Sequence, residues 1–96
     1  MNAAHWRVPV DHPAFAGHFP SRPIVPGVVL LDRVIRLIAA ECGSRIAAIG
    51  NAKFLSPAGP DAMLDIHWTA GAGRNIRFDI TSAGVAIATG TLTLAE

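Results

Sequence analysis

Residues 28 to 42, "VVLLDRVIRLIAAEC", make the one convincing helical stretch of the chain, and it is apolar almost all round. At about 100° per residue, Asp32, Arg33 and Arg36 gather in one narrow polar stripe, with Glu41 on the opposite side near the end. Gly43 then stops the helix as a left-handed glycine would. A helix that is hydrophobic on most of its faces must be buried. In a chain of 96 residues, read as one domain over 1–96, only a sheet curled around the helix can bury it.

The rest of the sequence supplies that sheet. His5 to Val10 alternates and ends at the turn "DHP", which predicts a first short strand. After the helix, "RIAAIGNAKFL" (45–55) predicts a second strand, broken by "SPAGPD". "AMLDIHWTA" (62–70) alternates Leu64, Ile66 and Trp68 against Asp65 and His67. "NIRFDITS" (75–82) alternates Ile76, Phe78 and Ile80 against Arg77, Asp79 and Thr81, and "VAIATGTLTLAE" closes the chain. The turns "GAGR" and "AG" join these as hairpins. The class is therefore α+β, a single antiparallel sheet around one helix.

Composition narrows the function classes. The chain is 51% hydrophobic with only 16% charged residues and a mean hydropathy of +0.40. A domain this small buries a modest fraction of its own surface, so the apolar surplus predicts burial against another subunit. A net charge of +1 without a basic run excludes nucleic acid as the main partner. The single cysteine, Cys42, forbids an intrachain disulfide and fits a reducing cytoplasm. The opening "MNAAHWRVPV" has no basic-then-apolar leader pattern. The longest apolar run, Ile24 to Leu31, contains Pro26 and Gly27 and falls short of the roughly 18 residues a membrane span needs.

The chemistry concentrates before and inside the helix, in "GHFPSRPIVPGVVLLD" (17–32). The four histidines, His5, His12, His18 and His67, show no metal-ligand spacing, and no metal is expected. His5 and His67 lie on strands with no carboxylate at a telling distance and read as structural or exposed. No GxSxG elbow or phosphate-binding glycine loop is present. His18 is held between a glycine and three prolines, in the kind of irregular loop that often carries function. It fits a catalytic role and a satisfied turn histidine equally well. Asp32 is a carboxylate in an apolar helix, costly unless it is used or paired. With Arg36 at i+4 and the acid first, a plain helix salt bridge explains it as well. Gly27, where the helix begins, leaves room for a ligand oxygen to approach the first free backbone N–H groups.

Those residues resemble the signature of the hot-dog-fold β-hydroxyacyl-acyl-carrier-protein dehydratases. In that family a histidine in a GHFP-type loop precedes a P-x-x-P-G-V helix start, and an acid follows fourteen positions after the histidine, as Asp32 follows His18 here. "DHPAFAGHFP" and "AKFLSPAGPDAML" are similar to the flanking family segments. The resemblance implies a long central helix wrapped by a curled antiparallel sheet, at least a homodimer, and an acyl tunnel at the dimer interface. It implies dehydration of a (3R)-3-hydroxyacyl thioester, with His18 as base, the partner's copy of Asp32 as acid, and the Gly27 N–H holding the thioester carbonyl. Phe15, Phe19, Val25, Pro26 and Val28 would line the substrate site. Arg22, Arg33 and Arg36 would meet the pantetheine arm or the acidic carrier protein, with no cofactor. One large branch of the family has Glu at the acid position; another, which also isomerises the double bond, has Asp.

Two other functions fit parts of the pattern: an acyl-thioester hydrolase on the same fold, and a non-catalytic carrier-binding subunit that keeps the motif. Both His18 and Gly27 in the loop favour dehydration over hydrolysis.

Overall fold

The computed structural model describes residues 2–12 and 24–95. Its elements run β1 (Asn2–Arg7), α1 (Gly27–Cys42), β2 (Ile46–Phe54), β3 (Met63–Ala70), β4 (Asn75–Ser82) and β5 (Val85–Leu94). The five strands form one antiparallel sheet in the order β1-β3-β4-β5-β2. One helix against one curled antiparallel sheet is the hot-dog arrangement that the resemblance implies.

Side-chain alternation on β3 and β4 is as the sequence reads. Leu64, Ile66 and Trp68, with Ile76, Phe78 and Ile80, point inward and are 1–4% exposed. Register then builds rows across the sheet. Ala4, Ile66, Ile80, Ala88 and Phe54 lie in one row through all five strands. The next row is Asn2, Trp68, Phe78, Gly90 and Ala52. In that row Gly90 makes room for its neighbour. A Cβ there would lie 2.7 Å from Phe78 Cζ and 2.3 Å from the Asn51 carbonyl oxygen.

The sheet curls through irregular register on β5 and β2. Thr81 pairs with Ala86 while Ile80 pairs with Ala88, which leaves Ile87 as the extra residue of a bulge. The bulge turns both Ile87 and Ala88 inward, each 3% exposed. The Ile87 carbonyl then accepts from the Leu55 and Ser56 N–H groups at 2.8 and 3.3 Å. Two further register shifts on β2, between Ile46 and Ala48 and between Ile49 and Asn51, bend the edge strand.

The helix differs in part from expectation. Leu30, Val34 and Ile38, one i, i+4, i+8 stripe, are fully buried. Val29, Leu31, Ile35 and Leu37 are only partly covered, and Val28 is 71% exposed. One sheet covers one side of a cylinder, so a single chain leaves much of this apolar helix uncovered. Gly43 caps it in the left-handed region at φ 64°, its N–H bonded to the Ala39 carbonyl.

Boundaries also move. The first strand lies at Asn2–Arg7 rather than at His5 to Val10. Beyond Arg7 the chain leaves the ladder: the Val8 N–H goes to the Ala62 carbonyl, and Pro9 cannot donate. The second strand ends one residue earlier, at Phe54, and the last stops at Leu94.

Ile38 sits at the centre of the helix–sheet contact with 0% exposure. Ile38→Ala is expected to cost about 2–5 kcal/mol of unfolding free energy. Gly90→Ala is expected to destabilise as well, because backbone oxygen blocks the new methyl group. Urea denaturation followed by far-UV circular dichroism checks both.

Candidate active site

Two backbone facts shape the start of α1. Pro26 is the N-cap, in extended conformation; among the described residues no side chain caps the helix, and its first turn carries no acid. The carbonyl of Pro26 accepts from the Val29 N–H at 3.0 Å and from the Leu30 N–H at 3.4 Å. Among the described residues the N–H groups of Gly27 and Val28 have no acceptor. They carry the positive end of the helix dipole. The Val25 N–H is tied to the Ala58 carbonyl at 2.7 Å, which fixes the chain just ahead of the helix against the segment after β2.

Beside Gly27 lies a cavity of about 330 Å³, whose lining does not include Val28. Ile24, Val25, Pro26, Gly27 and Leu30 line it from one side, and Phe54, Leu55, Ser56 and Pro57 from the other. Val25 is buried, while Phe54 and Leu55 are half exposed. The wall is almost wholly apolar, and its Phe54–Leu55 side is open to water.

Phe54 is the residue that sequence reasoning missed. Its ring closes on Gly27, where a Cβ would stand 2.7 Å from Phe54 Cζ. The space that the sequence assigned to an approaching ligand oxygen is therefore shared with an aromatic side chain. The signal was present: an aromatic residue at the end of an edge strand, two residues before the break at "SPAGPD".

The polar stripe of the helix divides. Arg36 Nε donates to Asp32 Oδ2 at 2.9 Å, and both side chains are well exposed, at 73% and 60%. Arg33 turns away from them and lies over the Trp6 ring, its Cζ 4.5 Å from the ring centroid. That cation–π contact pins β1 to α1. Trp6 also meets the His12 ring edge-on at 6.2 Å. His18, Phe15, Phe19 and Arg22 lie outside the described residues. The structure thus brings Val25, Pro26, Gly27 and Phe54 together, and sets Asp32 one turn further along the helix, facing outward.

His5 is exposed, as the sequence reads it, but it has a carboxylate partner that the sequence did not reveal. Cross-strand register places it opposite Asp65, and its Nδ1 lies 2.6 Å from Asp65 Oδ1. Two residues sixty positions apart become neighbours only through the β1–β3 pairing.

Comparison with known proteins agrees with this architecture. A family profile described as ApeI-like, ApeI dehydratase, matches residues 2–91. The 3-hydroxyacyl-[acyl-carrier-protein] dehydratase FabZ of Agrobacterium fabrum is 36% identical over 69 residues, covering 62% of this chain and 45% of the relative. FabZ of Aliarcobacter butzleri is 34% identical over 82 residues, covering 66% and 52%. The chain therefore spans about half the length of the curated relatives it matches. Among solved structures, the dehydratase heterocomplex ApeI:P from Xenorhabdus doucetiae superposes with a TM-score of 0.81 at 23% identity, covering 98% of this chain and 86% of that one. An uncharacterised protein from Erwinia carotovora subsp. atroseptica gives 0.84 at 26% identity, covering 97% and 81%.

Gly27→Ala is expected to push the half-exposed Phe54 ring outward rather than to unfold the chain, because a ring tip yields more easily than backbone. The thermal midpoint should change little in Gly27→Ala. Near-UV circular dichroism and aromatic NMR signals of Phe54 should move. Asp32→Ala is expected to cost no more than about 0.5 kcal/mol, since an exposed i, i+4 pair contributes little. Chemical denaturation reads that change.

Proposed function

Because this chain belongs to the ApeI-like dehydratase family, we propose that it removes water from a (3R)-3-hydroxyacyl thioester on an acyl carrier protein, in fatty-acid, polyketide or aryl-polyene type synthesis. The observation that carries the reading is an apolar cavity lined by Gly27, whose helix N–H is unengaged among the described residues, one turn before a carboxylate.

In this reading the thioester carbonyl sits at the N–H groups of Gly27 and Val28. Their dipoles stabilise the enolate-like charge that builds as the C2–H bond breaks. His18 takes that proton; histidine suits the task because its ordinary proton affinity lies near neutrality. Asp32 of the other subunit gives a proton to the C3 hydroxyl, which leaves as water, and the electron pair from C2 forms the trans double bond. Asp32 must carry a proton for this step, so its bond to Arg36 has to open when substrate or partner arrives. Phe15, Phe19, Val25, Pro26 and Val28 line the acyl path, with Phe54 added to them. Arg22 and Arg36 meet the pantetheine arm or the acidic carrier protein. Arg33 serves mainly to hold Trp6.

The assembly proposed is at least a homodimer. Among the described residues strand β2 is an edge strand, paired only with β5, and its Ile49, in the inward row with Leu92 and Ile76, is still 47% exposed. A long, apolar edge invites pairing with another strand. A second copy added there would extend the sheet and cover the exposed apolar flank of α1. No described helix is long and apolar enough to cross a membrane. The proposed setting is a reducing cytoplasm, where a free thiol such as Cys42 is stable.

The test is incubation with 3-hydroxyacyl carrier proteins of several chain types, with mass spectrometry of the products. Loss of water that falls by about 10²–10⁴ in His18→Ala and in Asp32→Asn is expected. Free acid would point to a hydrolase; tight carrier binding with no product would point to a non-catalytic subunit. Light scattering should give at least twice the 10.1 kDa chain mass. A clean monomer would overturn the shared site.

A further inference from the structure

The outer face of the sheet carries a second, polar hollow of about 230 Å³, lined by Asn51, Lys53, Arg77, Thr89, Gly90 and Thr91. We infer that it binds a phosphate group. Register explains its shape. Lys53, Thr89 and Asp79 form one outer row, and Asn51, Thr91 and Arg77 form the next, so two cations stand at diagonal corners with two hydroxyls between them. The backbone of Gly90 forms the floor.

The charges are arranged for an incoming anion. Among the described residues neither Lys53 nor Arg77 has an ion-pair or hydrogen-bond partner. A carboxylate is near in the same rows, yet Asp79 Oδ1 is occupied by the Thr89 hydroxyl at 2.8 Å instead. The Thr91 hydroxyl and the Asn51 amide are likewise unengaged among the described residues. A guanidinium fork, an ammonium and neutral donors around one hollow match the several acceptor oxygens of a phosphate group.

The hollow is separate from the apolar cavity. Lys53 and Phe54 are consecutive on β2 and face opposite sides of the sheet, one lining each site. The phosphate comes from a free phosphorylated metabolite or from the head of a phosphopantetheine arm. This inference does not depend on the dehydratase reading, and its test measures no turnover.

The test is a ¹H–¹⁵N NMR titration of the intact protein with inorganic phosphate, 4′-phosphopantetheine and phosphate-free pantetheine. Saturable shifts of the amides of Asn51, Lys53, Arg77, Thr89, Gly90 and Thr91 are expected with the two phosphates. Lys53→Met and Arg77→Met should each weaken binding by about tenfold or more while the thermal midpoint holds. Arg45→Met, outside the hollow, should leave it unchanged. Tighter binding of phosphopantetheine than of phosphate identifies the arm as the source; equal binding identifies a free metabolite. Linear, unsaturable shifts, equal response to pantetheine, or equal weakening in Arg45→Met would overturn the site.

Discussion

Everything in this protein depends on covering one apolar helix with one sheet. Leu30, Val34 and Ile38 meet the inward rows of β3, β4 and β5, and that contact is the core. A flat sheet would touch the helix along a line. The bulge at Ile87 and the two register shifts on β2 curve the sheet so that more of it reaches the helix. The Gly90–Phe78 fit lets an aromatic ring lie where two side chains would collide.

The same constraint places the candidate site. Because the curl brings β2 round to the beginning of α1, Phe54 and Leu55 become the wall opposite Pro26 and Gly27. Among the described residues no side chain caps the helix start, so its first N–H groups are unengaged there, with Gly27 beside the apolar cavity. The incomplete cover of the helix has a further consequence. Asp32 and Arg36 lie on the side that the sheet does not reach, which is where a second subunit would have to sit for the carboxylate to join the chemistry.

The two faces of β2 carry opposite characters for an elementary reason. Successive side chains on a strand point to opposite faces. Phe54 therefore lines the apolar cavity while Lys53, one residue before it, stands on the wet outer face beside Thr89. Tertiary pairing also decides which charges are satisfied: His5 finds Asp65 and Asp79 finds Thr89, whereas Lys53 and Arg77 find no partner among the described residues.

The sequence by itself determined the element types, the inward faces of β3 and β4, the cap at Gly43 and the motif on which the family resemblance rests. These are local matters: period 2 or 3.6, glycine in the left-handed region, and a long motif whose spacing survives any tertiary arrangement. It also read the Asp32–Arg36 bond, because i, i+4 neighbours are fixed by the helix alone. Only the tertiary structure decided that Arg33 leaves the stripe for Trp6, that Phe54 sits on Gly27, that His5 meets Asp65, and that much of the helix stays open. Each of these depends on register and curvature. A register moves by one residue without changing the pattern of the strand it belongs to, and a bulge such as that at Ile87 leaves no periodic mark in the sequence.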